Sequence, residues 1–102
     1  MFKFYKNVYI DEALQDADGV RKKLEGGLSV LGVFLICVKT GGNGLADIFQ
    51  SDQLFNRFER GAARTVIGMA SGKDGAFKLM AKIASDYETS NGDWNNFKKN
   101  FH

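Results

Sequence analysis

Hydrophobic and polar residues alternate along the first ten positions of the chain, which is typical of a strand with one buried face. The pattern is interrupted at Lys6 and Asn7, where the strand either bulges or turns sharply. The apolar residues of this strand share one parity and are Phe2, Phe4, Val8 and Ile10.

From Asp11 the apolar spacing changes to three or four residues, which predicts an α-helix that ends at Gly26 and Gly27. Acidic residues near its start and basic residues near its end suit the helix dipole. Gly19 costs on the order of 1 kcal/mol relative to alanine inside a helix, so it marks either a kink or a late start.

The longest apolar run, at residues 28–38, reads LSVLGVFLICV and predicts a central strand covered on both faces. It is too short to cross a bilayer. Glycine and asparagine at residues 41–44 then predict a tight reversal. Leu45 to Gln50 fits either a second hairpin strand or the start of a helix that continues to Phe58.

The second half of the chain predicts a short helix at residues 52–60, a strand at 64–70, a helix from Gly75 to Tyr87 and a last helix capped by Asp93. The long helix has a broad apolar face that we expect to be buried. That face consists of Ala76, Phe77, Leu79, Met80, Ala81, Ile83, Ala84 and Tyr87. The last helix carries Trp94, Phe97 and Phe101 at positions i, i+3 and i+7.

These elements give the order β-α-β-β-α-β-α-α within one compact domain, residues 1–102. The predicted fold class is α/β, with α+β as the alternative, and consists of a mixed sheet of three to four strands packed with three to four helices. A right-handed crossover would place the first two strands parallel, and the reversal at 41–44 would add an antiparallel neighbour.

Composition places the chain among ordinary globular domains, because 44% of its residues are hydrophobic and 25% are charged. A formal charge of +2 is too small to indicate a nucleic acid or an anionic membrane as partner. One cysteine excludes an intramolecular disulfide, and the first residues lack the pattern of a secretory signal. We therefore expect a cytoplasmic protein.

Residues suited to catalysis or metal binding are scarce. Cys37 lies inside the apolar run and predicts an inert core residue, while the single histidine is the terminal His102. No pair of carboxylates stands out as an acid and a base. The sequence therefore favours a non-enzymatic protein without a metal or cofactor, although an enzyme that uses backbone amides stays open.

The turn before the long helix comes closest to a functional motif. Ser71, Gly72, Lys73 and Asp74 open the helix, where backbone amides attract anions. The spacing departs from a phosphate-binding Walker A loop, and Asp74 stands where that motif has Ser or Thr. We favour a structural turn in which Ser71 caps the helix, and the alternative is a site for an anionic or phosphate group at Ser71–Gly75.

The aromatic residues of the last helix also allow two interpretations. Trp94, Phe97 and Phe101 either close the core, which we favour, or contact another protein or a second copy of the chain. Deciding between these interpretations requires the tertiary structure.

Basic residues cluster at 21–23, 57–64 and 98–99, but acidic residues lie beside them, so an ordinary solvated surface is favoured over a nucleic-acid interface. The sequence as a whole favours a non-catalytic protein-binding module with a regulatory or accessory role. Its expected partner is another protein or a second copy of the chain. Anion binding is the alternative, nucleic-acid binding is a weaker one, and no membrane partner is expected.

Overall fold

A computed structural model describes residues 2–39, 46–52, 64–97 and 99, apart from the side chains of Phe2, Lys3, Lys39 and Trp94. The strands of these residues form one mixed sheet, which confirms the predicted α/β class. From one edge to the other, its strands are residues 2–10, 64–71, 33–39 and 46–50. The predicted reversal at 41–44 and the predicted helix at 52–60 lie almost entirely outside the described residues. The elements are β1 (Phe2–Ile10), α1 (Ala17–Glu25), β2 (Val33–Lys39), β3 (Ala46–Gln50), β4 (Arg64–Ser71), α2 (Gly72–Thr89) and α3 (Trp94–Phe97).

The strand directions show that the predicted crossover is wrong. β1 is parallel to β4, and β4 is antiparallel to β2, so β1 and β2 run in opposite directions and are not neighbours. Nine residues of α1 advance the chain by roughly 14 Å, whereas residues 26–32 can span about 23 Å when extended. The loop can therefore return the chain to the end of the sheet where β1 finished. The hairpin of β2 and β3 is antiparallel, as predicted.

The central strand β2 begins at Val33, five residues later than the sequence predicts. Gly32 has a φ of 80°, a left-handed conformation that is incompatible with an extended strand, so β2 begins only after it. Residues 28–32 form a loop instead, and its side chains Leu28 and Leu31 are exposed. The remainder of the apolar run is buried between β4 and β3, as predicted for a central strand.

Helices cover both faces of the sheet, with α1 on one face and α2 and α3 on the other. Successive residues of β2 alternate between the two cores, which explains why the strand is apolar at nearly every position. The α1 core contains Val20, Leu24, Val33, Leu35, Cys37, Val66 and Met69. The α2 core contains Ile36, Val38, Ile67, Ala70, Ala76, Leu79, Ile83 and Phe97.

The central strand β4 contains a bulge at Gly68. Its pairing with β2 shifts register here, so Ile67 and Gly68 both lie on the α2 side. A Cβ atom at Gly68 would lie 3.1 Å from Leu79 and 3.3 Å from Ile36. Glycine at this position therefore allows α2 to pack directly against the sheet.

A larger bulge interrupts β1 at the position that the sequence indicates. Phe4 pairs with Val66 and Tyr9 pairs with Gly68, so residues 5–8 of β1 lie opposite a single residue of β4. Of the two alternatives for Lys6 and Asn7, the structure shows a bulge within a continuous strand.

Both faces of β1 are packed, so the prediction of a single buried face is wrong. Arg21 of α1 supports the bulge, because its guanidinium donates to the Lys6 carbonyl at 3.0 Å and lies 5.0 Å from the Phe4 ring centroid. Phe4 and Val8 contact the α1 core, while Tyr5 and Tyr9 contact the α2 core.

The helix α2 buries a narrower face than its sequence predicts. Phe77, Ala81 and Ala84 are exposed. A helix that packs against one sheet contacts it over only part of its circumference. Ala76, Leu79 and Ile83 occupy that part, and they are the buried residues of α2.

Candidate functional site

A carboxylate of the chain itself occupies the N-terminus of α2. Asp11 follows β1, and its Oδ2 accepts a hydrogen bond from the Ser71 backbone N–H at 3.1 Å. Its Oδ1 accepts from the Ala13 N–H at 3.3 Å, and its own N–H donates to the Met69 carbonyl at 2.9 Å. The Cα of Gly75 lies so close to Asp11 that a Cβ there would collide with the carboxylate. Asp11 therefore joins the end of β1 to the start of α2.

The predicted side-chain cap by Ser71 is wrong. Ser71 is extended and its hydroxyl makes no capping hydrogen bond, because Asp11 supplies the negative charge that a helix N-terminus favours. The Gly72 N–H is also engaged, since it donates to the Gly32 carbonyl at 2.8 Å. A phosphate at this turn would meet the carboxylate of Asp11, so these contacts favour the structural interpretation of the turn.

Lys73 and Asp74 of the same turn are exposed. The Lys73 ammonium lies 5.8 Å from the Phe77 ring centroid, within the range of a cation–π contact. The four candidate residues of the turn thus lie together, and the contacts described for them are with Asp11, Gly32 and Phe77 of the same chain.

The aromatic residue of α3 whose side chain is described lies inside the domain. Phe97 is 1% exposed, stacks on Tyr9 at 6.4 Å between ring centroids and meets the edge of Tyr87 at 5.5 Å. Phe97 therefore presents no surface to a partner in this structure. The side chain of Trp94 and the whole of Phe101 lie outside the described residues.

Tyr9 and Asp86 form a polar contact that nothing in the sequence pattern suggests, because 77 positions separate them. The Tyr9 hydroxyl donates to Asp86 Oδ2 at 2.7 Å, beside a shallow cavity of about 320 Å³ that Asn7 and Val8 also line. Burial, and then the hydrogen bond and charge of Asp86, raise the pKa of Tyr9 above its ordinary value. The neutral phenol is therefore part of the folded state.

We expect the free energy of unfolding to decrease less at alkaline pH in Tyr9→Phe than in the wild type. The unfolded chain releases the Tyr9 proton near pH 10, whereas the folded chain keeps it to higher pH. The stabilisation is complete below about pH 10 and is lost as the pH rises above that value, by an amount that solvent screening reduces because Tyr9 is only partly buried. Urea unfolding from neutral to strongly alkaline pH measures how the free energy of unfolding changes with pH in the wild type and in Tyr9→Phe. The same pH dependence in the two proteins would contradict a Tyr9 that stays protonated in the fold.

The loop of residues 28–32, here called the leucine loop, is the most exposed apolar part of the described chain. Leu28 is 62% exposed and Leu31 is 102% exposed. An open cavity of about 430 Å³ lies beside Leu31, lined by residues 29–34 and 50–52. Sequence reasoning missed this surface because residues 28–38 were interpreted as one strand. The available signal was Gly32, a glycine inside an otherwise apolar run.

A buried serine holds the leucine loop in place. Ser51, 3% exposed, follows β3, and its hydroxyl donates to the Val30 carbonyl at 2.7 Å and accepts from the Val30 N–H at 3.0 Å. The Gly32 carbonyl accepts from the Gly72 N–H, which ties the other end of the loop to the start of α2. The exposed leucines are therefore carried by a backbone with defined hydrogen bonds.

Two arginines of the predicted basic clusters make contacts within the domain. Arg21 lies 3.5 Å from Glu25, and Arg64 lies 3.2 Å from Asp47. Both ion pairs engage these cations within the domain, and the Arg64 side chain is only 13% exposed. Arg57, Arg60 and Lys98 lie outside the described residues.

Within the described ranges, no group of three or more His, Cys, Asp or Glu side chains could hold a metal ion. Among the same residues, no helix combines the length and the apolar character needed to cross a membrane. No protein family, curated protein or solved structure matches this chain.

Proposed function

We propose that this domain is a non-catalytic protein-binding module with a regulatory or accessory role, and that its partner is another protein that contacts the leucine loop. The observation that carries the proposal is the complete exposure of Leu31 beside a cavity. Single exposed leucines are common on protein surfaces, but Leu31 lines an open cavity and Leu28 is exposed on the same short loop, so the two leucines together favour a docking surface.

The composition of this surface resembles that of protein interfaces. Leu28 and Leu31 supply apolar side chains, and Leu31, which is fully exposed, would gain about 1.5–3 kcal/mol from complete burial, whereas the partly exposed Leu28 would gain less. Around them lie polar groups from Ser29, Gln50 and Asp52, which also line the cavity. An apolar centre with a polar rim is the usual arrangement of a protein–protein contact.

The contacts of Ser51 also favour binding. A flexible loop loses conformational entropy when it docks, and each ordered side chain or segment lowers the affinity. Because Ser51 fixes both backbone groups of Val30, the leucine loop is already held before a partner arrives. Less of the free energy gained by burying the leucines is then offset by the ordering of the loop.

A photoreactive phenylalanine analogue at position 31 tests the proposal in cells of the source organism. We expect irradiation to yield a defined covalent adduct with another protein, because the side chain at this position is completely exposed. The same analogue in place of Lys82, on the exposed surface of α2, is the matched control and should give no such adduct. Mass spectrometry identifies the protein attached.

Leu31→Ser then measures the contribution of the leucine to the complex. Its affinity for the identified partner should fall about 10- to 100-fold, since one buried leucine side chain is lost. The free energy of unfolding should change by less than about 0.5 kcal/mol, because the side chain is exposed in the domain. The absence of an adduct at position 31, equal adducts at positions 31 and 82, or an adduct with a second copy of the chain would overturn the proposal of a different protein as partner.

A further inference from the structure

The turn between α2 and α3 contains the dipeptide Asn91–Gly92. Both residues are exposed, and both have left-handed backbones, with φ values of 60° and 67°. We propose that Asn91 is a site of spontaneous deamidation and that Tyr87 sets its rate by holding Gly92 in place. This inference is independent of the proposed partner.

The reaction needs only water and atoms of the turn. The Gly92 backbone nitrogen attacks Cγ of Asn91, the new N–Cγ bond closes a five-membered succinimide, and the Cγ–Nδ2 bond breaks. Ammonia leaves, carrying the proton that the Gly92 nitrogen loses. Water then opens the ring at either carbonyl, which gives an aspartyl or an isoaspartyl residue. No electrons are transferred, and the net change is hydrolysis of the side-chain amide.

Glycine at position 92 makes Asn91 the reactive asparagine of this region. The attacking nitrogen is unhindered because Gly92 has no side chain, and the nearest Tyr87 ring carbon lies 4.0 Å from where a Cβ of residue 92 would be. Asn7, which is also exposed, precedes the β-branched Val8 and provides an internal comparison. Asn43–Gly44 repeats the dipeptide but lies outside the described residues.

Two hydrogen bonds join Tyr87 to the backbone of Gly92. The Gly92 N–H donates to the Tyr87 carbonyl at 3.2 Å, and the Tyr87 hydroxyl donates to the Gly92 carbonyl at 2.6 Å. The Asn91 N–H is bonded to the Glu88 carbonyl at 2.9 Å. Because the attacking nitrogen must leave its hydrogen bond and rotate towards Cγ, these contacts slow the reaction in the folded chain.

Deamidation would weaken the attachment of α3. The isoaspartyl product adds a methylene to the backbone of the turn that leads to Phe97. Either product places a carboxylate beside Glu88 at the C-terminal end of α2, where the helix dipole already disfavours negative charge. We therefore expect the modified chain to melt at a lower temperature than the unmodified chain.

The folded 102-residue chain is incubated at mildly alkaline pH, and residue 91 is followed by peptide mapping and mass spectrometry. We expect Asn91 to convert slowly in the native wild type, faster in urea, and about two- to tenfold faster in native Tyr87→Phe than in native wild type, since one hydrogen bond is lost. The phenylalanine ring preserves the contact with Phe97, and circular dichroism confirms that the variant is folded. Asn7 in the same digest should stay intact.

Two results would overturn the inference. No conversion of Asn91 in the native chain, even after an incubation many times longer than the one that converts it in urea, would show that residue 91 is not a modification site of the folded protein. Equal rates in folded wild type and Tyr87→Phe would show that the Tyr87 hydroxyl does not control the reaction.

Discussion

Replacing Phe97 with alanine is expected to lower the free energy of unfolding by about 3–5 kcal/mol. The residue belongs to a helix of four residues, yet its side chain is 1% exposed and fills the space between Tyr9 and Tyr87. Removing the ring leaves a cavity in the α2 core. Because small domains are stable by roughly 5–15 kcal/mol, this loss would be a large fraction of the total.

Guanidinium unfolding followed by circular dichroism measures the effect, and Phe77→Ala is the matched control. Phe77 lies on α2 with 53% of its surface exposed, so its truncation should cost less than about 1 kcal/mol. If the two variants lost equal stability, Phe97 would not be part of the core. The alternative interpretation of the C-terminal aromatic residues, as a partner surface, would then be favoured instead.

Asp11→Ala is expected to destabilise the domain by about 2 kcal/mol, the upper range for loss of a helix cap. The substitution removes the acceptor for the Ser71 N–H and the negative charge at the start of α2. It also breaks the side-chain link between the end of β1 and the helix. The corresponding amide variant, Asp11→Asn, keeps an acceptor oxygen without the charge. Its free energy of unfolding should lie between those of the wild type and Asp11→Ala.

The effect of Gly75→Ala should change sign with the residue at position 11. In the wild type the new Cβ collides with the Asp11 carboxylate and displaces its hydrogen bonds, so the variant is less stable. In the Asp11→Ala background the collision is gone, and alanine is favoured over glycine in a helix by up to about 1 kcal/mol. There, Gly75→Ala should stabilise the protein.

A double-mutant cycle from urea unfolding measures this coupling between positions 11 and 75. The single variants and the double variant are compared with wild type under the same conditions. Additive effects would mean that the carboxylate and Gly75 are not in contact.

Much of the fold could be predicted from local patterns. The interruption of β1 at Lys6 and Asn7, the apolar segment from Val33 to Val38 and the strand that ends near Ala70 are visible in the order of apolar and polar residues, because the spacing of apolar residues depends on secondary structure. That the interruption is a bulge and not a turn is shown only by the strand pairing. The boundaries were harder to predict. The strand β2 starts at Val33 because Gly32 adopts a left-handed backbone, and apolar content alone does not reveal that conformation.

The candidate sites show a different limit. The glycine-rich turn before α2 was visible in the sequence, but the group that occupies it, Asp11, lies 60 positions away from Ser71. The leucine loop was hidden inside an apolar run, and its attachment depends on Ser51 from another strand end. Residue type indicates what a side chain can do, whereas its partner depends on the packing of distant elements.

By itself, the sequence determined the α/β class, the approximate positions of the strands and the scarcity of catalytic side chains, because these follow from composition and local periodicity. Only the tertiary structure decided the direction of β1 relative to β2, the burial of Phe97, the capping of α2 by Asp11 and the exposure of Leu31. The physical reason is that strand pairing, capping and burial depend on contacts between residues far apart in the chain. A local pattern contains no information about which of several suitable partners will make those contacts.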